Sequence, residues 1–354
     1  MPYLTDMYHD QNATFDRARN SAVTSSPTAF DHDAFLDRLG SRILGQPAAL
    51  RAVARAVSIA HAGVADPGRP LASILLVGPT GVGKTELVRQ VAAELRSGPD
   101  DLCRIDMAAL AQEHYAASFS GAPPGYAGSK ESFTLFDKDK IEGDPFTPGV
   151  VLFDEIEKAD ATVIRALLHV LDCGELRLAN GREKISFRNC HIFITSNLGS
   201  KDLARAQRRQ AHRRRRWWSL TRQQATTEGA RDVLTSAVEA FFDPEFFNRI
   251  DEVVVMESFE PATARRVTAR EVDLVVRRLA RESVDLQVDP AVLDFLHDAG
   301  FDPVYGARAL RRAIRDHLIA PAAQCLLRER PTGTTPMTLT ASMSAANVVV
   351  IPVL

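Results

Sequence analysis

No apolar run in the sequence approaches the roughly 18 residues that a membrane-crossing helix needs, so no partnership with a bilayer is expected. Cysteine is sparse and scattered. Cys103, Cys173, Cys190 and Cys325 form no CxxC pair, which argues against a zinc site or a disulfide framework and for reduced thiols in the cytoplasm. Neither sign of charge is in excess. With 43 Lys and Arg against 45 Asp and Glu, the net charge is −2, and nothing global points to nucleic acid. Met1 to Phe30 lacks the apolar core of a secretory signal and carries Asp6, His9, Asp10 and Asp16 instead. There is no internal repeat of solenoid type.

What is present suits a layered globular protein. The 354 residues are 45% hydrophobic and 25% charged, long enough for two packed domains. Residues 1–33 are polar and aperiodic, and are read as a tail. Apolar residues at helical spacing begin at Phe35, Leu36 and Leu39 and run on to Ile59. After the breaker cluster Asp66-Pro67-Gly68-Arg69-Pro70 come three short apolar runs, 72–77, 150–153 and 191–195. Such runs suit strands of a parallel sheet buried on both faces. Strands alternating with helical stretches imply an α/β domain over 34–252. From 253 to 354 the pattern turns mostly helical, at Thr263–Leu279, Pro290–Ala299 and Ala307–Leu327, and ends in strands over 336–354.

The chemistry sits at the ends of those runs. Gly78-Pro79-Thr80-Gly81-Val82-Gly83-Lys84-Thr85 satisfies GxxxxGK[ST] between an apolar strand and a helical stretch. Glycines there let backbone N–H groups turn inward as an anion nest, and the helix start adds its positive end. Lys84 is expected on the β- and γ-phosphates of ATP, and the Thr85 hydroxyl on Mg²⁺. The second run ends in Asp154-Glu155, where ligands of a parallel sheet collect. Asp154 suits Mg²⁺, and Glu155 suits a base that orients the attacking water. Adjacent acids can also simply cap the next helix, but the loop at 78–85 favours the catalytic reading. Asn197, ending the third run, is placed to hold that water or to sense the γ-phosphate. An asparagine in an ordinary turn is the plain alternative.

At this point the sequence resembles the Clp/ClpB family of AAA+ proteins, most closely the second ring module of ClpB-type disaggregases. The resemblance rests on a series of blocks in the family's order over about residues 35–330. They include Ile43-Leu44-Gly45-Gln46, Gly121-Ala122-Pro123-Pro124-Gly125-Tyr126-Ala127-Gly128, the stretch from Leu152 to Ala159, and Thr195-Ser196-Asn197-Leu198-Gly199-Ser200. The series closes with Pro244-Glu245-Phe246-Phe247-Asn248-Arg249-Ile250-Asp251 and Gly306-Ala307-Arg308. It implies an AAA+ P-loop domain with a central parallel sheet, then a smaller helical domain with terminal strands. It implies a homohexamer that hydrolyses ATP to unfold or remodel polypeptides. Arg249 would be the arginine finger reaching a neighbouring subunit's γ-phosphate; its plain alternative is a surface ion pair with Asp251. Arg308 would be the sensor-2 arginine, Ile43 and Leu44 would line the adenine pocket, and Tyr126 would be the pore-loop aromatic that grips substrate.

The chain also departs from that family. The N-terminal domain, first ATPase ring and coiled-coil middle segment of a ClpB have no counterpart in these residues. The segment 201–229 is a basic insertion with Arg213-Arg214-Arg215-Arg216 beside Trp217-Trp218. It leaves a nucleic-acid-dependent AAA+ motor or loader as one alternative function, although nucleic acid is not the expected partner. A non-enzymatic ATP-binding switch or scaffold is the other, disfavoured by the intact Lys84, Asp154, Glu155, Asn197 and Arg249. Relatives that feed the ClpP peptidase carry Ile-Gly-Phe or Ile-Gly-Leu before the finger. Ser200 to Ala240 contains neither, so no ClpP partner is expected.

Overall fold

The computed structural model describes residues 30–111, 135–144, 146–177, 184–200, 202–203, 224–301, 307–329, 336–345 and 347–353, without the side chains of 224–230. Tyr126, Gly306 and most of the basic segment 201–229 lie outside them. The chain divides into two compact units, Met1–Gly78 with Gly83–Met256, and Pro79–Val82 with Glu257–Leu354.

In the first unit, Asp31 caps helix α1 (His32–Arg42) by accepting from the Ala34 N–H at 3.0 Å. Helix α2 (Pro47–His61) starts with proline, whose missing N–H costs nothing there. Strand β1 (Ala72–Val77) follows, then α3 (Lys84–Leu95), β2 (Cys103–Asp106), α4 (Lys138–Glu142), β3 (Gly149–Asp154) and α5 (Ala161–Cys173). The hairpin β4 (Glu175–Arg177) and β5 (Lys184–Ser186) precedes β6 (Cys190–Ser196), α6 (Gln224–Phe241), α7 (Pro244–Phe247) and β7 (Glu252–Val255).

Five strands form one sheet in the order β2-β3-β6-β1-β7, and all its pairings are parallel. Every residue of β1, β3 and β6 is buried. These are the three strands expected from the apolar runs, and they are continuous because helices cover both faces. The chain leaves β1 for distant β2 and returns beside β1 with β6. The carboxyl ends of β1, β3 and β6 therefore meet at a topological switch point. Strand β2 alternates buried and exposed residues over only four positions, too short a pattern to stand out in the sequence.

The second unit holds α8 (Pro261–Arg281), β8 (Val284–Val288), α9 (Pro290–Gly300), α10 (Arg308–Ile314), a π-helical turn (Arg315–Ile319), α11 (Ala320–Glu329), β9 (Met337–Ser344) and β10 (Asn347–Pro352). Strand β8 runs parallel to β9, and β9 antiparallel to β10. Leu286, Leu296, Leu310, Leu318 and Leu339 share one core. The terminal strands were expected; β8 was not. Its buried Val284 and Leu286 alternate with exposed Asp285 and Gln287 between two helices. No helix among the described residues is long and apolar enough to cross a membrane.

One core position carries a pH liability. His191 on β6 is fully buried, and neither ring nitrogen has a hydrogen-bond partner among the described residues. Burial pushes its pKa from 6.5 down to about 3, with nearby His61 adding to the effect. The folded chain keeps the ring neutral where the unfolded chain protonates it. Stability from this residue is therefore complete above pH 6.5 and drains away as pH falls from 6.5 toward 3. Going from pH 7 to pH 5 should cost the native chain about 2 kcal/mol through this group. His191→Leu should lose correspondingly less stability over that interval in urea titrations. An unchanged pH slope in the variant would contradict this account.

Candidate active site

The site is built where β1, β3 and β6 end. Gly78 closes β1, donating its N–H to the Ser196 carbonyl at 3.2 Å. A Cβ at Gly78 would lie 2.3 Å from the Met256 carbonyl oxygen, so only glycine fits there. Gly81 and Gly83 have φ of 81° and 101°. Gly83 is the residue before α3, and a Cβ built on it meets no atom within 4 Å. The loop thus bends at Gly81 and Gly83 in conformations that suit glycine, as the turn of an anion nest requires.

Lys84, the first residue of α3, is only 7% exposed. Its ammonium donates to the Gly78 carbonyl at 2.5 Å and to Asn197 Oδ1 at 2.8 Å. A buried ammonium needs such acceptors. The Thr85 hydroxyl lies 3.4 Å from Asp154 Oδ1. A hydroxyl beside a carboxylate is a hard-oxygen donor pair, which fits Mg²⁺.

Asp154 ends β3 and has partners at both carboxylate oxygens. The Thr195 hydroxyl donates to its Oδ1 at 2.6 Å. Arg104 of β2 donates to its Oδ2 from Nε at 3.1 Å and Nη2 at 2.6 Å. Glu155 adopts φ 60° and ψ 54°, a left-handed conformation uncommon for a residue with a Cβ. Its N–H donates to the Thr195 hydroxyl at 3.0 Å. One hydroxyl therefore ties together the two consecutive acids. Strained backbone held by surrounding contacts is characteristic of working sites.

Asn197 follows β6. Its Nδ2 lies 3.2 Å from both Glu155 Oε1 and Glu157 Oε1, and its backbone N–H donates to Glu157 Oε1 at 3.1 Å. An ammonium can only donate and an ionised carboxylate can only accept. With Lys84 on one side and the glutamates on the other, the amide has a single orientation. Lys84, Thr85, Asp154, Glu155 and Asn197 thus come together as one connected network. Arg104, Thr195 and Glu157 belong to it and were not anticipated. The signal available for Thr195 was a hydroxyl at the end of an otherwise apolar run; Arg104 had only its place at a strand end.

The remaining expected residues lie elsewhere. Ile43, just past α1, is buried, and Leu44 is half-buried. Arg249 follows α7, and its Nε lies 2.7 Å from Asp172 Oδ1 on α5. The alternative pairing with Asp251 is not the one seen. Asp251 accepts instead from the Ser73 N–H and hydroxyl, both at 2.7 Å, and lies 3.6 Å from Arg69. Arg308 opens α10 in the second unit and is exposed.

A family model described as AAA domain (Cdc48 subfamily) matches residues 69–253. A second, the C-terminal D2-small domain of ClpB protein, matches residues 260–336. An ATP-dependent protease ATP-binding subunit-like protein of Rhodococcus erythropolis is 60% identical over 342 residues, covering 96% of each chain. The chaperone protein ClpB of Gloeobacter violaceus is 38% identical over 292 residues, 82% of this chain and 31% of that one. This chain thus spans about a third of that relative. A closed-state cryo-EM reconstruction of Hsp104 with ATPγS and FITC-casein superposes with a TM-score of 0.72 at 25% identity, over 91% of this chain and 51% of that one.

The double role of Thr195 can be tested directly. Thr195→Val keeps the side-chain shape but leaves Asp154 Oδ1 and the Glu155 N–H each short of a partner. Its unfolding free energy in urea should fall by about 1–3 kcal/mol, and Thr195→Ser should recover most of the loss. An unchanged midpoint for Thr195→Val would show that the hydroxyl holds nothing in place.

Proposed function

The chain belongs to the AAA+ ATPases of the ClpB type, and on that premise we propose that it works as a ring that spends ATP on unfolding or remodelling polypeptides. One observation carries the hydrolytic half of this reading: the hydrogen-bonded network joining Lys84, Asn197 and Glu155 at the strand ends. Phosphate cation, polar sensor and candidate base are joined there in series, the sensor bonded to each of the other two. The remodelling half is supported by the ClpB relatives, which are chaperones by name, and by the casein-bound Hsp104 likeness.

Each residue then has a role set by its chemistry. Bound Mg·ATP supplies the γ-phosphoryl group whose transfer to water releases energy. The nest from Gly78 through Gly83, with Pro79, Thr80 and Val82 in its turn, surrounds the phosphates with backbone N–H groups. Lys84 exchanges its internal acceptors for phosphate oxygens. Thr85 and Asp154 hold Mg²⁺, with Arg104 balancing the buried carboxylate. Glu155 orients the attacking water and accepts its proton. Asn197, fixed by Glu157, reports the γ-phosphate to the rest of the network. Arg249 acts across a subunit boundary, where a guanidinium neutralises charge developing in the transition state. Arg308 is the sensor-2 arginine, Ile43 and Leu44 hold the adenine, and Tyr126 grips the polypeptide. The ring is a homohexamer of the cytoplasm.

A second reading, a peptidase partner, is favoured by the name of the Rhodococcus erythropolis relative. We place remodelling without a peptidase first, because Ser200–Ala240 contains no Ile-Gly-Phe or Ile-Gly-Leu tripeptide.

Glu155→Gln tests both halves at once. The variant should bind ATP with near-native affinity in calorimetry and hydrolyse it on the order of 10²–10⁴-fold more slowly, the usual contribution of a general base. Held in its ATP state, it should retain fluorescent casein on size-exclusion chromatography. Native turnover would remove Glu155 from the mechanism, and slow turnover with no retained polypeptide would refute the remodelling assignment.

A further inference from the structure

We infer that Asp172 is a positioning residue for catalysis, holding the Arg249 side chain so that its guanidinium is aimed before a neighbouring subunit arrives. The inference rests on the reading of Arg249 as a finger acting in trans. Three observations carry it.

The backbone of Arg249 is held at both its carbonyl and its N–H. Its carbonyl accepts from Arg69 Nη2 at 2.7 Å and from the Ser73 hydroxyl at 2.9 Å. Its N–H donates to the Phe246 carbonyl at 3.2 Å. The guanidinium of Arg69 also donates, through Nε, to the carbonyl of Leu171 at 3.2 Å. One arginine therefore spans from the residue before Asp172 to Arg249 itself and sets the distance between the two.

A fixed backbone leaves the long, rotamer-rich side chain undirected, and Asp172 supplies the direction. Its Oδ1 meets Arg249 Nε at 2.7 Å. Pairing through Nε engages the inner nitrogen of the planar fork, which leaves the Nη1–Nη2 edge for a second oxyanion. The two side chains, 37% and 50% exposed, border one small cleft with Leu168, His169 and Glu245. The guanidinium is thus braced at its base and open to solvent.

Asp172 also stands where an acid is otherwise unfavourable. It occupies the last turn of α5, just before the left-handed Gly174 that caps the helix. Carboxylates near a helix C-terminus oppose the helix dipole. A cation across the cleft gives that charge a use. Exposed ion pairs contribute little to folding, so the value of the pair lies in geometry.

A double-mutant cycle decides the matter. Asp172→Ala and Asp172→Asn should lower kcat for ATP on the order of tenfold to a hundredfold, the cost of a misplaced group. Calorimetric nucleotide affinity and the urea midpoint should both stay at their native values. Asp172→Glu should recover part of the rate. In the Arg249→Ala background, Asp172→Ala should have no further effect, because it acts only through the arginine. Additive losses, a native or raised rate in Asp172→Ala, or a fall in nucleotide affinity would each overturn the inference. Full activity of Arg249→Ala alone would instead overturn the finger assignment on which it stands.

Discussion

Buried opposite charges at the carboxyl ends of the parallel strands constrain everything else in the first unit. Lys84 and Asp154 are both largely removed from water, and a lone buried charge is too costly to persist. Each must be surrounded by partners, and those partners come from different strands. Lys84 draws on Gly78 after β1 and on Asn197 after β6. Asp154 draws on Thr195 of β6 and on Arg104 of β2. Sheet register follows from the same need: Asp106 pairs with Asp154 across β2 and β3, so Arg104 falls within reach. The strained Glu155 is a further consequence, since its N–H must turn back to the Thr195 hydroxyl.

This network also explains how binding can become a signal. Lys84 and Asn197 share a bond at the ammonium that a phosphate would meet. Asn197 is in turn bonded to Glu155 and Glu157. A single amide therefore links the ammonium to the candidate base. The beginning of the next turn is tied in as well, because the Ser200 hydroxyl donates to the Asn197 carbonyl at 2.5 Å.

Part of this was legible in the sequence, for physical reasons. Strands β1, β3 and β6 are buried on both faces and so read as unbroken apolar runs. The phosphate loop, Asp154-Glu155 and Asn197 are each contiguous with one of those runs, so a local pattern sufficed. Thr195 is marked only as a hydroxyl at the end of an apolar run, and Arg104 and Glu157 have no such mark. Their roles depend on which strands lie side by side, and Arg104 reaches a partner 50 residues away. Strand β8 was hidden because alternating residues over five positions between two helices also suit a helical turn. The partner that Arg249 takes could not be read from proximity along the chain. Asp251, two positions on, is committed to Ser73, and the carboxylate that meets the guanidinium comes from α5.

What ATP hydrolysis is coupled to separates a polypeptide remodeller from a nucleic-acid motor. Steady-state ATPase rates of the full chain, measured with unfolded casein and separately with single-stranded and duplex DNA, address that coupling directly. The account predicts that casein raises the rate and that neither DNA changes it. Stimulation by DNA with no response to casein would contradict the account and return the chain to the nucleic-acid motors.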